Sequence, residues 1–202
     1  MKNETLLSRP NYQPKNSVFQ FREAASYLNT DQRPELLFIT SYPPRECGIA
    51  TYSQDLIQAL NNKFDNSFKI TVCPLESDHE QHTYAEPTPY ILNTDHAGGF
   101  GQLAQKINES RAIQLVVIQH EFGFFEGKEA DFQHFVATIA KPIVLVFHTV
   151  LPQPSQLLQQ RVRALSAAVA SIVVMTQASA QILIEDYAIS AQQITVIAHG
   201  TH

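Results

Sequence analysis

Short, uninterrupted runs of aliphatic and β-branched residues recur along this chain, and they limit its fold more than any other feature. They are Leu36 to Thr40, Phe68 to Val72, Gln114 to Gln119, Pro142 to Phe147, Ser171 to Met175 and Ile194 to Ala198, with a weaker one at Tyr90, Ile91 and Leu92. Each has the length and composition of a strand. Their apolar residues are mostly consecutive rather than alternating, so both faces of such strands must be covered, as in a parallel sheet with helices on either side. Between the runs lie stripes of helical period: Tyr52, Leu56, Ile57 and Leu60; Phe132, Phe135, Val136 and Ile139; Ala180, Leu183, Ile184 and Tyr187. Weaker stripes are Phe100, Leu103 and Ile107, and Leu158, Val162 and Leu165. The alternation predicts one doubly wound α/β domain with a mostly parallel sheet flanked by helices.

A chain of 202 residues suffices for one such core, and no second domain is expected within it. Residues 1 to 34 read as a polar leader with a candidate short helix from Phe19 to Leu28, closed by Pro34; the domain is expected over 35–202. The leader lacks the apolar segment of a signal peptide, and the longest apolar run, Ala167 to Met175, is far short of the about 20 residues that span a bilayer. A cytoplasmic protein without a transmembrane segment is the expectation. Net charge of −5 and no lysine and arginine stripe give no electrostatic footprint for nucleic acid, which is not expected as a partner. Cys47 and Cys73 make neither a disulfide framework nor a zinc site and are read as free thiols.

In an open parallel sheet, ligands bind beyond the carboxyl ends of the strands. That rule gathers four groups on one rim. After the first strand comes the loop Pro43-Pro44-Arg45-Glu46-Cys47-Gly48; after the others come His120-Glu121-Phe122-Gly123, His148-Thr149 and His199-Gly200. Each group has an ordinary reading beside the functional one. A lone histidine after a strand is usually structural. Gly48 either permits a tight turn at positive φ or lets an anion approach the amides opening the next helix. Glu121 beside His120 is either a general base or a cap, and Arg45 pairs with a carboxylate or contacts a phosphate. The first loop is neither a Walker sequence nor a dinucleotide fingerprint. Asp78-His79-Glu80-Gln81-His82 lacks further ligands at metal-binding spacing and reads as a solvated loop, so no metal is expected.

The stretches "FITSYPPRECGIATYSQDL", "VVIQHEFGFF", "PIVLVFHTVLPQP", "VVMTQASAQIL" and "ITVIAHG" resemble, in order and spacing, the N-terminal Rossmann-like domain of GT-B glycosyltransferases, specifically the retaining enzymes typified by family 4. The resemblance covers residues from about 36 to 200. It implies a domain that mainly holds a sugar-containing acceptor, facing across a cleft a C-terminal domain that binds most of a UDP- or GDP-sugar. Carried over by position, Gly48 with Cys47 and Ile49 would face the donor diphosphate, and His148 would look toward the transferred sugar and its leaving phosphate. His120, Glu121 and Arg45 would line the acceptor side. The nucleotide sugar is a co-substrate, and no cofactor is implied. Charge develops on the leaving phosphate, so helix-start amides and positive groups would stabilise the transition state. His148 would position and polarise rather than attack.

Two departures qualify the likeness. The family commonly has a second glycine in the first loop, whereas here Cys47 precedes the single Gly48. Its last motif usually continues into the second domain, whereas this sequence stops at His202. With one wall of a two-walled cleft, the chain alone is expected to be inactive, with the missing half supplied in cis or in trans. The competing readings are a non-catalytic α/β binding or scaffolding module, and a different α/β enzyme that binds a phosphorylated metabolite at the same rim.

Overall fold

The computed structural model of the protein describes residues 33–65, 67–85 and 88–200. The leader, including the helix expected over Phe19 to Leu28, lies outside the described residues except for Arg33 and Pro34. Seven strands form one sheet: β1 (Glu35–Thr40), β2 (Lys69–Glu76), β3 (Leu92–Asn93), β4 (Ile113–His120), β5 (Ile143–Phe147), β6 (Ser171–Val174) and β7 (Ile194–Val196). Five α-helices follow five of them: α1 (Gly48–Phe64), α2 (Ala97–Glu109), α3 (Glu129–Thr138), α4 (Gln156–Ala168) and α5 (Gln177–Glu185). The strand order is β3-β2-β1-β4-β5-β6-β7, and every pair is parallel. The expected α/β architecture with a parallel sheet is therefore present.

Alternate residues of each strand feed different layers, which is why the runs are continuous. Leu37 and Ile39 of β1 enter the larger core with Phe100 and Leu103 of α2, Phe132 and Phe135 of α3, Val162 of α4 and Leu183 of α5. Phe38 enters the smaller one on the opposite face, with Ile57 of α1, Val117, Val146 and Val173. Among the described residues, four helices thus cover one face and α1 covers the other.

Several strand boundaries differ from expectation. β2 runs to Glu76 rather than Val72, through Cys73 and Pro74. Proline lacks a ladder donor and ordinarily ends a strand, but β3 pairs only with Leu75 and Glu76, so the outer edge of β2 is unpaired before them and tolerates it. β3 sits at Leu92–Asn93 rather than on Tyr90 and Ile91, and Ile91 is exposed. β4 includes His120, and β7 stops at Val196. Among the described residues, no helix is long and apolar enough to cross a membrane.

Strand order runs 3-2-1 and then 4-5-6-7, so it reverses between β1 and β4. Connections leaving β1 and β4 diverge there and open a crevice at the carboxyl edge. Thr40 and His120, the last residues of these two strands, stand at that point.

Candidate functional site

The turn from β1 into α1 is built by small polar side chains. Thr40, Ser41 and Ser53 are all fully buried. The Thr40 and Ser53 hydroxyls share a hydrogen bond of 2.6 Å, and the Thr40 hydroxyl also reaches the Ser41 carbonyl at 2.9 Å. Ser41 Oγ lies 3.1 Å from Cys47 Sγ. Between them the chain passes through a cis Pro43–Pro44 peptide, and the Arg45 amide donates to the Tyr42 carbonyl. Cys47 is the N-cap of α1, its sulfur accepting from the Ala50 amide at 3.4 Å. The amides of Gly48 and Ile49 precede the first possible intrahelical acceptors, and the first turn carries no acidic side chain to occupy them. Cys47 and Cys73 are both free thiols, and burial pushes that of Cys73 up.

Gly48 does not have positive φ, so the tight-turn reading of this glycine fails. A Cβ placed on it would meet nothing within 4 Å. Neither backbone conformation nor packing within the described residues calls for glycine at this helix start.

His148 leaves the end of β5, its amide donating to the His120 carbonyl at 3.1 Å and so extending the β4–β5 ladder. Its Nε2 is 2.7 Å from Oε1 of Gln119. An amide oxygen facing that nitrogen requires it to carry the proton, which leaves Nδ1 an acceptor. Gln119 is fully buried, and its Nε2 has no hydrogen-bond partner. Against the other side of His148 stands Tyr52, one turn into α1, with ring centroids 5.2 Å apart in an edge arrangement. Tyr52 also contacts His199, at 5.1 Å. Partial burial pulls His148 down to about 4, the Glu121 carboxylate opposing the shift and His199 adding to it. The imidazole is neutral at pH 7.

The four rim groups are therefore not brought together equally. The rings of His148 and His199 both pack on Tyr52, which lies one turn along the helix that begins at Cys47, Gly48 and Ile49. Glu121 instead caps the short helical turn Phe122–Phe125 through the Phe122 amide and accepts the Thr149 hydroxyl at 2.6 Å. Its carboxylate is used as a cap, and with Gln119–His148 it ties the ends of β4 and β5 side by side. Arg45 turns away, pairing with Glu80 at 2.8 Å and lying 5.2 Å over the Phe124 ring. His120 ends β4 rather than opening the following loop and is only 3% exposed, packed among Phe122, Phe125, Phe132 and Phe147. Burial, with His148 nearby, pushes its pKa down to about 3.

The Asp78 to His82 segment is a small turn bridged between Ser77 and Glu80. Asp78 accepts hydrogen bonds from Asn93 and His96, which hold its carboxyl below the usual range.

Gln119 and Tyr52 were not singled out from sequence as site residues. Tyr52 fell within the apolar stripe of α1, and Gln119 within a buried strand. A signal for Gln119 was available, since a primary amide in an otherwise apolar buried run must find a polar partner.

No family model matches the sequence, and no curated protein matches it significantly. Solved structures do match. One is an alpha-glucosyltransferase in complex with UDP-glucose and DNA containing an abasic site, at 11% identity and TM-score 0.48, covering 76% of this chain and 39% of that one. Another is an alpha-glucosyltransferase in complex with UDP and a 13-mer DNA containing a central A:G mismatch, at 12% identity and TM-score 0.44, covering 71% and 37%. The chain spans less than two fifths of the length of either.

Proposed function

We propose that this domain is the acceptor-side wall of a nucleotide-sugar-dependent glycosyl-transfer site, acting with retention and working against a second, donor-binding wall in cis or in trans. One observation carries the reading: at the reversal of strand order, a 17-residue helix with no acidic residue in its first turn begins one turn before Tyr52, whose ring packs against the neutral, oriented imidazole of His148. The order and spacing of the five sequence stretches support it independently.

The roles divide by charge. The Gly48 and Ile49 amides and the positive end of the helix dipole suit the diphosphate and the charge that grows on its leaving oxygen. Gly48 adds no side chain between anion and amides. His148, neutral and with its Nε2 proton held by Gln119, suits a hydroxyl of the transferred sugar, which would donate to Nδ1. This ring positions the sugar rather than carrying positive charge to the phosphate. Arg45, with Phe124 beneath it, borders a polar recess that also includes Glu76, Asp95 and Glu126; its carboxylates suit the hydroxyls of an acceptor. Glu121 acts there through the loop it caps, and His120 from behind the rim.

Titration with UDP, GDP and glucose 1-phosphate, followed by amide and imidazole NMR signals, tests the proposal. The nucleoside diphosphates should shift Gly48, Ile49 and the His148 ring. A response to the sugar phosphate alone would favour the phosphorylated-metabolite reading, and silence toward all three would remove the donor-facing role.

A further inference from the structure

A cavity of about 270 Å³ opens between the Phe122–Phe125 turn, α3 and α4, apart from the cluster around Tyr52. Phe122, Phe125, Phe132, Leu158, Val162 and Leu165 form its apolar walls. His120 also lines it, bringing a titratable ring into this apolar surround. Glu126, Glu129 and Arg161 stand around it, and Arg161 pairs with Glu129 at 3.4 Å. Of the residues around it, the proposed glycosyl transfer uses only His120, from behind the rim, and Glu126, which also borders the acceptor recess.

His120 is the second, independent observation. Its Nδ1 is buried with no hydrogen-bond partner, and its low pKa keeps the ring neutral, so one ring nitrogen is an acceptor at pH 7. An unmet buried polar atom is unfavourable, and a ligand that satisfied it would recover part of that cost.

We infer that this cavity binds a small, neutral, single-ring aromatic molecule bearing a hydroxyl, which hydrogen-bonds the His120 ring. Size, wall chemistry and charge each narrow the occupant. A dry apolar cavity of roughly 150 Å³ admits benzene, so this one holds a substituted ring. Phenylalanine walls favour an aromatic partner. Two carboxylates against one paired guanidinium disfavour an anion.

The test uses the 202-residue chain with p-cresol, toluene and 4-hydroxybenzoate as probes, read by the His120 imidazole nitrogen shifts and by thermal stabilisation. p-Cresol should bind and move the His120 signals, toluene should bind about tenfold more weakly for want of the hydrogen bond, and the anionic benzoate more weakly still. Leu158→Trp, which fills the cavity from a half-buried wall position, should abolish binding of all three. His120→Phe should remove the preference for p-cresol over toluene. Equal affinity for p-cresol and toluene, binding unaffected by Leu158→Trp, or no binding of p-cresol would each overturn the assignment.

Discussion

Gln119 Oε1 and His148 Nε2 lie 2.7 Å apart across the β4–β5 ladder, so a buried amide on one strand fixes the tautomer of an imidazole at the end of the next. Replacing the amide by a carboxylate tests this coupling. In Gln119→Glu an anion within hydrogen-bond distance should raise the His148 midpoint by about 1 to 3 pH units from its present value near 4. Ring-proton NMR titration measures it. An unchanged midpoint would mean that Gln119 does not hold the ring.

His120 should make the fold acid-sensitive. Its folded pKa of about 3 lies below the ordinary 6.5, so between those values the unfolded chain binds a proton that the native state excludes. Stability is then complete above about pH 6.5 and falls as the pH drops toward 3. In His120→Phe the slope of unfolding free energy against pH in that window should be shallower by about 1.4 kcal/mol per unit. Urea unfolding at a series of pH values would show it, and identical slopes would contradict it. His148 adds a smaller contribution of the same sign above about pH 4.

Gly48 separates binding from stability. Alanine there meets open space and non-positive φ, so Gly48→Ala should stabilise the fold by about 0.4 to 1 kcal/mol through the lost freedom of the unfolded chain. The same methyl stands before the helix-start amides, so UDP should bind severalfold more weakly. Chemical denaturation and NMR titration on one variant give both numbers. Unaltered UDP affinity would return Gly48 to an incidental role.

The sheet was legible because burial on two faces leaves a mark that needs no tertiary information, and β1, β4, β5 and β6 fall within one residue of the expected ends. The extension of β2 through Pro74 was not legible, since it depends on how little of β3 lies beside it. Within the site, the strand-end rule located the first loop, His148 and His199 on the rim. It could not show which way side chains turn. Arg45 is drawn off by Glu80 and Phe124, and His120 falls on the inward side of the final β4 position. Tyr52 was hidden because an aromatic residue in a helical stripe looks the same whether it meets core or imidazole.

Ser53 offers a test of the turn itself. Ser53→Ala removes a buried 2.6 Å bond while Thr40 keeps the Ser41 carbonyl, so the cost should be about 1 kcal/mol rather than that of a fully orphaned hydroxyl. A loss above about 3 kcal/mol in urea unfolding would show that the hydroxyl pair anchors more than this turn.

The same hydroxyls give α1 a mechanical character. Its polar ties to the sheet, through Cys47 and Ser53, lie in its first two turns, and Ile57 is its last buried residue. The helix continues to Phe64, roughly 10 Å further at 1.5 Å per residue. Beyond Ile57, Leu60 packs on the smaller core but is only partly buried, so the helix is held more firmly at its start than at its far end. Hydrogen exchange should accordingly quicken from Ser53 toward Asn62 along this helix, the only one on that side of the sheet among the described residues.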